Sequence, residues 1–261
     1  MSNVEHYKKQ ILKTILDAIQ PRPDVLAAWE GGSAATGTVD QFSDIDLCIL
    51  SKAPIQSVIE TVQAALEKYH VIHTWQTAKS FWGDGMAQRI IVLKDAPKYF
   101  FIDVGVFDAN HPQLVKDFLE VERHGQPIIL FDKTGTVKSG HTDAVALFDK
   151  QMIRAEELKR GFVIFKTLVQ KEIERGNRID ALGFYQTGLL GPAIEVLGML
   201  RRPFKYDFGM RYIHKSFPKD EQTLIEELSY VSNFEALPEK LNKIEKAFNS
   251  AVAEVQKRKS L

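Results

Sequence analysis

The order of apolar and polar positions divides the chain into two textures. At the start, Val4, Ile11, Ile15 and Ile19, with Leu12 and Leu16 beside them, recur at helical spacing, and the pattern stops at Pro21 and Pro23. VLAAWE (25–30) reads as a short strand and IDLCIL (45–50) as a second. Between them Gly31 and Gly32 make a turn, and Ser33 is placed to begin a helix covering SAATGTVDQ. Ile55, Val58, Ile59, Val62 and Leu66 mark another amphipathic helix. Short apolar runs follow at 71–76, 89–93, 99–107 and 128–131, and GDG at 83–85 reads as a hairpin turn. Strands mixed with helices predict an α/β or α+β unit ending near residue 135.

DKTGTVKSGHTD (132–143), rich in Gly, Thr and Ser, reads as a linker. Beyond it Ala155, Leu158, Phe162, Phe165, Val169 and Ile173 keep a helical rhythm that ends at Gly176. Residues 180–200 are strongly apolar and helical in pattern, broken or kinked at Pro192. Leu241, Ile244, Phe248, Val252 and Val255 mark a last helix after Pro238, and the basic KRKS near the end reads as a solvated tail. The expected organisation is an α+β domain over 1–135 followed by a helical domain over 144–261.

Composition narrows the function classes. With 261 residues and 44% hydrophobic positions, the chain can bury a sizeable core. Lys plus Arg and Asp plus Glu both number 34, so the basic excess of a protein that lives on nucleic-acid backbone is absent, which weighs against a nucleic-acid partner. Cys48 is the only cysteine, which excludes an intrachain disulfide framework or a Cys-based zinc site and suits a reducing cytoplasm. The first twenty residues lack the unbroken apolar core of a signal peptide, and no apolar run approaches the roughly 20 residues of a membrane span. A soluble, cytoplasmic protein with no membrane partner is expected.

The candidate chemistry lies at the head of the second strand. Alternation puts Asp44, Asp46 and Cys48 on one face and Ile45, Leu47 and Ile49 on the other. Two carboxylates this close repel, and burial makes each charge costlier. A divalent cation relieves that, and hard oxygen ligands select Mg2+ or Mn2+. A lone Asp-x-Asp is equally compatible with a turn cap beside a solvated strand edge. Asp103, inside the apolar run YFFIDVGVF, tips the balance, because an acid there is expensive without a partner. Asp108 is the fallback third carboxylate. Gly31 and Gly32 let the backbone approach a ligand, and a helix starting at Ser33 would present N–H groups to phosphate. Anion site and metal site together describe a place for a nucleoside triphosphate with its metals.

Gly32-Ser33, nine intervening residues, Ser43-Asp44-x-Asp46 and the later Asp103 between apolar neighbours resemble the polymerase-β-type nucleotidyltransferase superfamily over about residues 25–107. The length, IDVGVF and PIILFDKTG look most like the small bacterial antibiotic nucleotidyltransferases that act on lincosamides or aminoglycosides. The resemblance implies a small mixed sheet backed by helices, followed here by a C-terminal helical bundle. It implies transfer of a nucleoside monophosphate, AMP from ATP first among the triphosphates, to a hydroxyl of a small-molecule acceptor. Two Mg2+ ions, or Mn2+ in their place, would be held by Asp44 and Asp46. Asp103 would complete the second metal site and serve as general base, and Gly32 and Ser33 would hold the terminal phosphates. Lys166, amid core-like neighbours, is placed either to reach the triphosphate or to snorkel to water. Arg89 before a strand is a further phosphate candidate, and Trp75 and Trp82 are candidates to stack on the acceptor. A homodimer is compatible with the sequence. Rival readings are transfer to a protein or nucleotide acceptor and a non-catalytic nucleotide-binding or antitoxin-like module.

Overall fold

A computed structural model describes residues 3–78 and 83–260. The chain divides into two compact units, Met1–Thr142 and Asp143–Leu261. In the first unit helix α1 (Asn3–Ile19) leads into β1 (Val25–Glu30), α2 (Gly32–Thr36), β2 (Ile45–Ser51) and α3 (Ile55–Leu66). Strands β3 (Val71–Gln76), β4 (Met86–Leu93) and β5 (Ile102–Asp108) follow, then α4 (Pro112–Phe118), α5 (Val121–His124) and β6 (Ile128–Asp132). The six strands form one mixed sheet in the order β3-β4-β5-β2-β1-β6. β2 and β5 are parallel, and the other neighbouring pairs are antiparallel.

The period-2 pattern of β2 and β5 sorts their side chains. Ile45, Leu47, Ile49, Ile102, Val104 and Val106 join Ile11, Ile15 and Ile19 of α1 and Val58, Ile59, Val62 and Leu66 of α3 in the main core. Each such side chain, fully buried, contributes about 1.5–3 kcal/mol. The opposite face is divided. Near the C-terminal ends of β2 and β5 a small core gathers Trp29, Leu50, Met86 and Phe107 with Val115 and Leu119. Trp29 stacks on Phe107 at 5.5 Å, and Phe118 meets Phe107 edge-on at 4.9 Å. Near their N-terminal ends the same face carries acids.

Several boundaries differ from expectation for local reasons. The helix after Ser33 stops at Thr36, because Gly37 takes a left-handed conformation (φ 66°) and caps it. β5 starts at Ile102 rather than residue 99, after a turn in which Phe100 N–H donates to the Pro97 carbonyl. β3 and β4 pair antiparallel across the segment holding Gly83, Asp84 and Gly85, while residues 79–82, Trp82 among them, lie outside the described residues. The stretch read as a linker is folded onto the first unit. Asp132 accepts hydrogen bonds from the N–H groups of Thr134, Gly135 and Val137, Val137 is buried, and Gly140 bridges to Glu120.

In the second unit α6 (Ala144–Glu174) is capped by Asp143, whose carboxylate accepts from the N–H groups of Val145 and Ala146, and it ends before Gly176 (φ 74°). α7 (Arg178–Tyr185) runs through a π-turn (Gln186–Leu190) into α8 (Gly191–Arg201), whose Pro192 sits in the first turn. The missing proline N–H and its clash with the preceding turn account for the wider turn there. α9 (Ile213–Ser216), α10 (Lys219–Ser229) and α11 (Leu237–Lys257) complete the unit. Its core is anchored by the Phe162–Phe248 stack at 4.0 Å and by Tyr185, whose hydroxyl donates to the Leu228 carbonyl. The terminal basic stretch is not wholly solvated, since Arg258 donates to the Met199 carbonyl. No helix among the described residues is long and apolar enough to cross a membrane.

Candidate active site

The acids of the divided face come from the two parallel strands. Asp46 of β2 and Asp103 of β5 are direct register partners. Adjacent strands lie about 4.8 Å apart, so two carboxylates 57 positions apart in sequence stand side by side. Asp44 lies one residue before β2, and its Oδ1 accepts the Phe101 N–H at 2.9 Å. The turn Asp40–Ser43 delivers it there, with Asp40 N–H donating to Ser43 Oγ at 2.8 Å and Ser43 Oγ donating to Asp40 Oδ1 at 3.0 Å.

The Gly-rich turn closes against the same place. Gly31 N–H donates to the Asp46 carbonyl at 2.9 Å. Gly32 has φ +53°, and a Cβ built on it would stand 1.7 Å from Asp46 Oδ2. The absent side chain is therefore the space that the Asp46 carboxylate fills. Next to it, Ser33 Oγ is buried with no hydrogen-bond partner. A buried hydroxyl without a partner costs free energy unless a ligand meets it.

Charge sets the protonation. Burial pushes the Asp44 carboxyl above the usual carboxylate range, the Asp46 charge adds to this, and the Phe101 N–H and Lys8 oppose it. Burial also pushes the Cys48 thiol up, reinforced by Asp46 and Asp103, so it stays a neutral thiol and not a nucleophile. Lys8 of α1 reaches under the site: its Nζ lies 2.9 Å from Glu30 Oε1 and donates to the Asp44 carbonyl at 3.0 Å. Asp103 Oδ2 accepts from Gln88 Nε2 at 2.7 Å. Lys8, Glu30 and Gln88 were missed from sequence, because nothing local marks a lysine or glutamine whose partner is 15 or 36 residues away.

Other expected residues are placed elsewhere. Asp108 ends β5 five residues beyond Asp103, about 16 Å along the strand and on the opposite face, where it accepts from Asn110. Arg89 pairs with Val104 on the helix-covered face and donates to Gln63 of α3 and Gln76 of β3, away from the carboxylates. Trp75 is on the carboxylate face: it registers with Ile90, which registers with Asp103, and it is 57% exposed. Lys166 belongs to the second unit, where its Nζ is 2.6 Å from Glu245 Oε2.

Whether these residues fit a metal is a question of donors. Asp46 and Asp103 are hard oxygen donors held together despite like charge, which suits Mg2+ or Mn2+. Among the described residues no group of three His, Cys, Asp or Glu is already arranged to hold an ion, since the Asp44 carboxylate is turned to the Phe101 N–H. The chain thus carries a formed pair and a third acid one residue outside the strand.

Residues 10–80 match the family model described as a nucleotidyltransferase domain, a span that includes Gly32, Ser33, Asp44 and Asp46 but not Asp103. No curated protein matches the chain. Among solved structures, an aminoglycoside 6-adenyltransferase from Bacillus subtilis is 12% identical, with 95% of this chain and 90% of that one covered at a TM-score of 0.38. A nucleotidyltransferase-like protein from Exiguobacterium sibiricum is 12% identical, with 95% and 78% covered and a TM-score of 0.41. A spectinomycin adenyltransferase from Enterococcus faecialis, solved with ATP and spectinomycin, is 12% identical over 97% and 99% at 0.32. At these TM-scores the likeness in shape is too loose to locate a site or name a substrate.

Proposed function

We propose that this chain, an enzyme carrying a nucleotidyltransferase domain, transfers AMP from ATP to a hydroxyl of a small-molecule acceptor and releases pyrophosphate. The observation that carries the reading is the register of Asp46 and Asp103 on adjacent parallel strands, with the Gly32 turn packed against the Asp46 carboxylate. Gly32 packs its backbone against the Asp46 carboxylate, and Ser33 beside it offers an unpartnered hydroxyl for phosphate oxygens. Asp44, Asp46 and Asp103 would hold Mg2+ or Mn2+, two ions in the full scheme. When bound, those ions supply charge stabilisation for the attacking and leaving oxygens.

Asp103 accepts the acceptor hydroxyl's proton as its oxygen attacks the α-phosphorus. The bond from that phosphorus to the bridging α–β oxygen breaks, and pyrophosphate departs with the electron pair. Holding both reactants in line is the other task of the site, and the rigid parallel pair β2–β5 suits it. Antibiotics with free hydroxyls, aminoglycosides and lincosamides, are the acceptors proposed first, on the likeness of IDVGVF and PIILFDKTG. Lys166, a phosphate candidate from sequence, is ion-paired with Glu245 within the second unit.

The test is calorimetry with a non-hydrolysable ATP analogue and Mg2+, followed by pyrophosphate release over an acceptor panel. Wild type should bind the analogue only with metal. Asp103→Asn should leave that affinity within about tenfold, roughly 1.4 kcal/mol. Its turnover should fall by about 10²–10⁴, the usual worth of a general base. Metal-independent binding, or normal turnover by Asp46→Asn, would overturn the assignment.

A further inference from the structure

β4 lies beside β5 on the side away from β2, and it sends the Gln88 side chain to the site. Gln88 registers not with Asp103 but with Gly105, two residues farther along β5. Such diagonal neighbours across an antiparallel pair lie within reach of a long side chain. The space above Gly105 itself is taken by Met86, since a Cβ there would stand 2.7 Å from Met86 Cε. Gln88 is itself fixed, since its carbonyl accepts the Thr77 N–H at 3.0 Å across the hairpin. From that position Nε2 donates to Asp103 Oδ2 at 2.7 Å, short for an amide on a carboxylate.

We infer that Gln88 is a positioning residue that fixes the plane of the Asp103 carboxylate for metal and acceptor, and that its neutrality is what suits it to the task. A hydrogen bond to one carboxylate oxygen removes rotation about the terminal torsion, which is otherwise broad for aspartate. A lysine or arginine in this place would fix the carboxylate equally well. It would also cancel the charge that a divalent cation requires and compete for the same oxygen. An amide restrains without neutralising. Partners of this kind, one step removed from a metal, typically govern about 10–100-fold in metal affinity or activity. The inference rests on the proposed metal role of Asp103, and the experiment separates the two.

Mn2+ binding is followed by electron paramagnetic resonance, in the full chain with a non-hydrolysable ATP analogue, for wild type, Gln88→Met, Asp103→Asn and Asp46→Asn. No acceptor is needed. Gln88→Met keeps a linear side chain of similar volume and loses the donor. It should weaken binding of the second Mn2+, the one whose site Asp103 completes, about 10–100-fold, less than Asp103→Asn, with the melting temperature close to wild type. In turnover the loss should fall on kcat and not on KM for ATP, a split that a merely structural residue would not produce. If Gln88→Met melts early, Gln88→Leu is measured below its own melting temperature, with the same expectation. Wild-type Mn2+ affinity in a folded Gln88 variant, with Asp103→Asn impaired, overturns the inference alone. Unchanged Mn2+ affinity in Asp103→Asn and Asp46→Asn overturns the metal assignment and this inference with it.

Discussion

Replacing Gly32 by alanine tests the packing of the turn against the acid directly. Two costs are separable. The first is backbone strain: φ is +53°, and a residue with a Cβ pays about 1–2 kcal/mol in the left-handed region. The second is collision, because the new Cβ would lie 1.7 Å from Asp46 Oδ2 and 2.3 Å from its Cγ, where contacts below 3.0 Å are essentially never found. The main chain of Asp46 is held by the Gly31 hydrogen bond and by the register with β5, so the carboxylate must swing by more than an ångström. A misplacement of about 1 Å can cost on the order of 10²-fold in rate. Gly37 supplies the control. It has φ +66° with nothing within 4 Å of a built Cβ, so Gly37→Ala carries the strain without the collision. By thermal unfolding Gly32→Ala should lose at least as much stability as Gly37→Ala, and only Gly32→Ala should lose about a hundredfold in pyrophosphate release and weaken Mn2+ binding. Gly32→Ala with activity within a few-fold of wild type, or Gly37→Ala equally impaired, would refute the reasoning.

Lys8→Met should destabilise the chain by about 3–5 kcal/mol, because it leaves the Glu30 carboxylate, only 10% exposed, buried without its cation; urea denaturation measures it, and adding Glu30→Gln should restore part of the loss. Glu122 gives a pH dependence: its hydrogen bond with the His141 ring, then the Thr142 N–H, lowers its carboxyl from 4.5 to about 2. A depressed carboxyl stabilises the fold above its unfolded value, and that contribution is lost as pH falls from about 4.5 through about 2. Melting curves across that window should therefore fall more steeply for wild type than for Glu122→Gln, and parallel curves would remove Glu122 from the account.

The elements legible in sequence were those whose signal is local. β1 and β3 have the spans that their apolar runs give, and α3 follows the spacing of Val58, Ile59, Val62 and Leu66. The Gly-Gly-Ser turn and the Asp-x-Asp also announce themselves, since both depend on neighbours in the chain. What sequence could not supply was pairing. Asp103 was noticed as a charge out of place, but only the parallel register of β2 with β5 makes it a partner of Asp46 rather than of Cys48 or Asp44. The alternation rule was extended one residue too far at Asp44, which lies outside β2 and bonds the Phe101 N–H instead. Arg89 misled for the same reason. A cation beside a strand end has two faces to choose from, and Gln63 on α3 decides which. α10 escaped notice because its buried face is Gln222, Ile225 and Leu228, with a glutamine satisfied by the Phe217 carbonyl where the pattern looks for an apolar residue.

The divided face of the sheet explains how the chain tolerates clustered acids at all. Net stability of a domain is only about 5–15 kcal/mol, and two uncompensated carboxylates would consume much of it if they were placed in the core. Here β2 and β5 each change character along one face. Leu50 and Phe107 pack with Trp29 toward the C-terminal ends, and Asp46 and Asp103 stand partly exposed toward the N-terminal ends. The stabilising half holds the strands in register while the acidic half inherits that register, so the carboxylates are forced together by contacts they do not make themselves. Asp46 and Asp103 thereby stand as neighbouring hard oxygen donors for a cation, and Gln88 restrains one of the two carboxylates. On this account damage at Trp29 or Phe107, whose rings stack at 5.5 Å, should loosen the fold first and the site second.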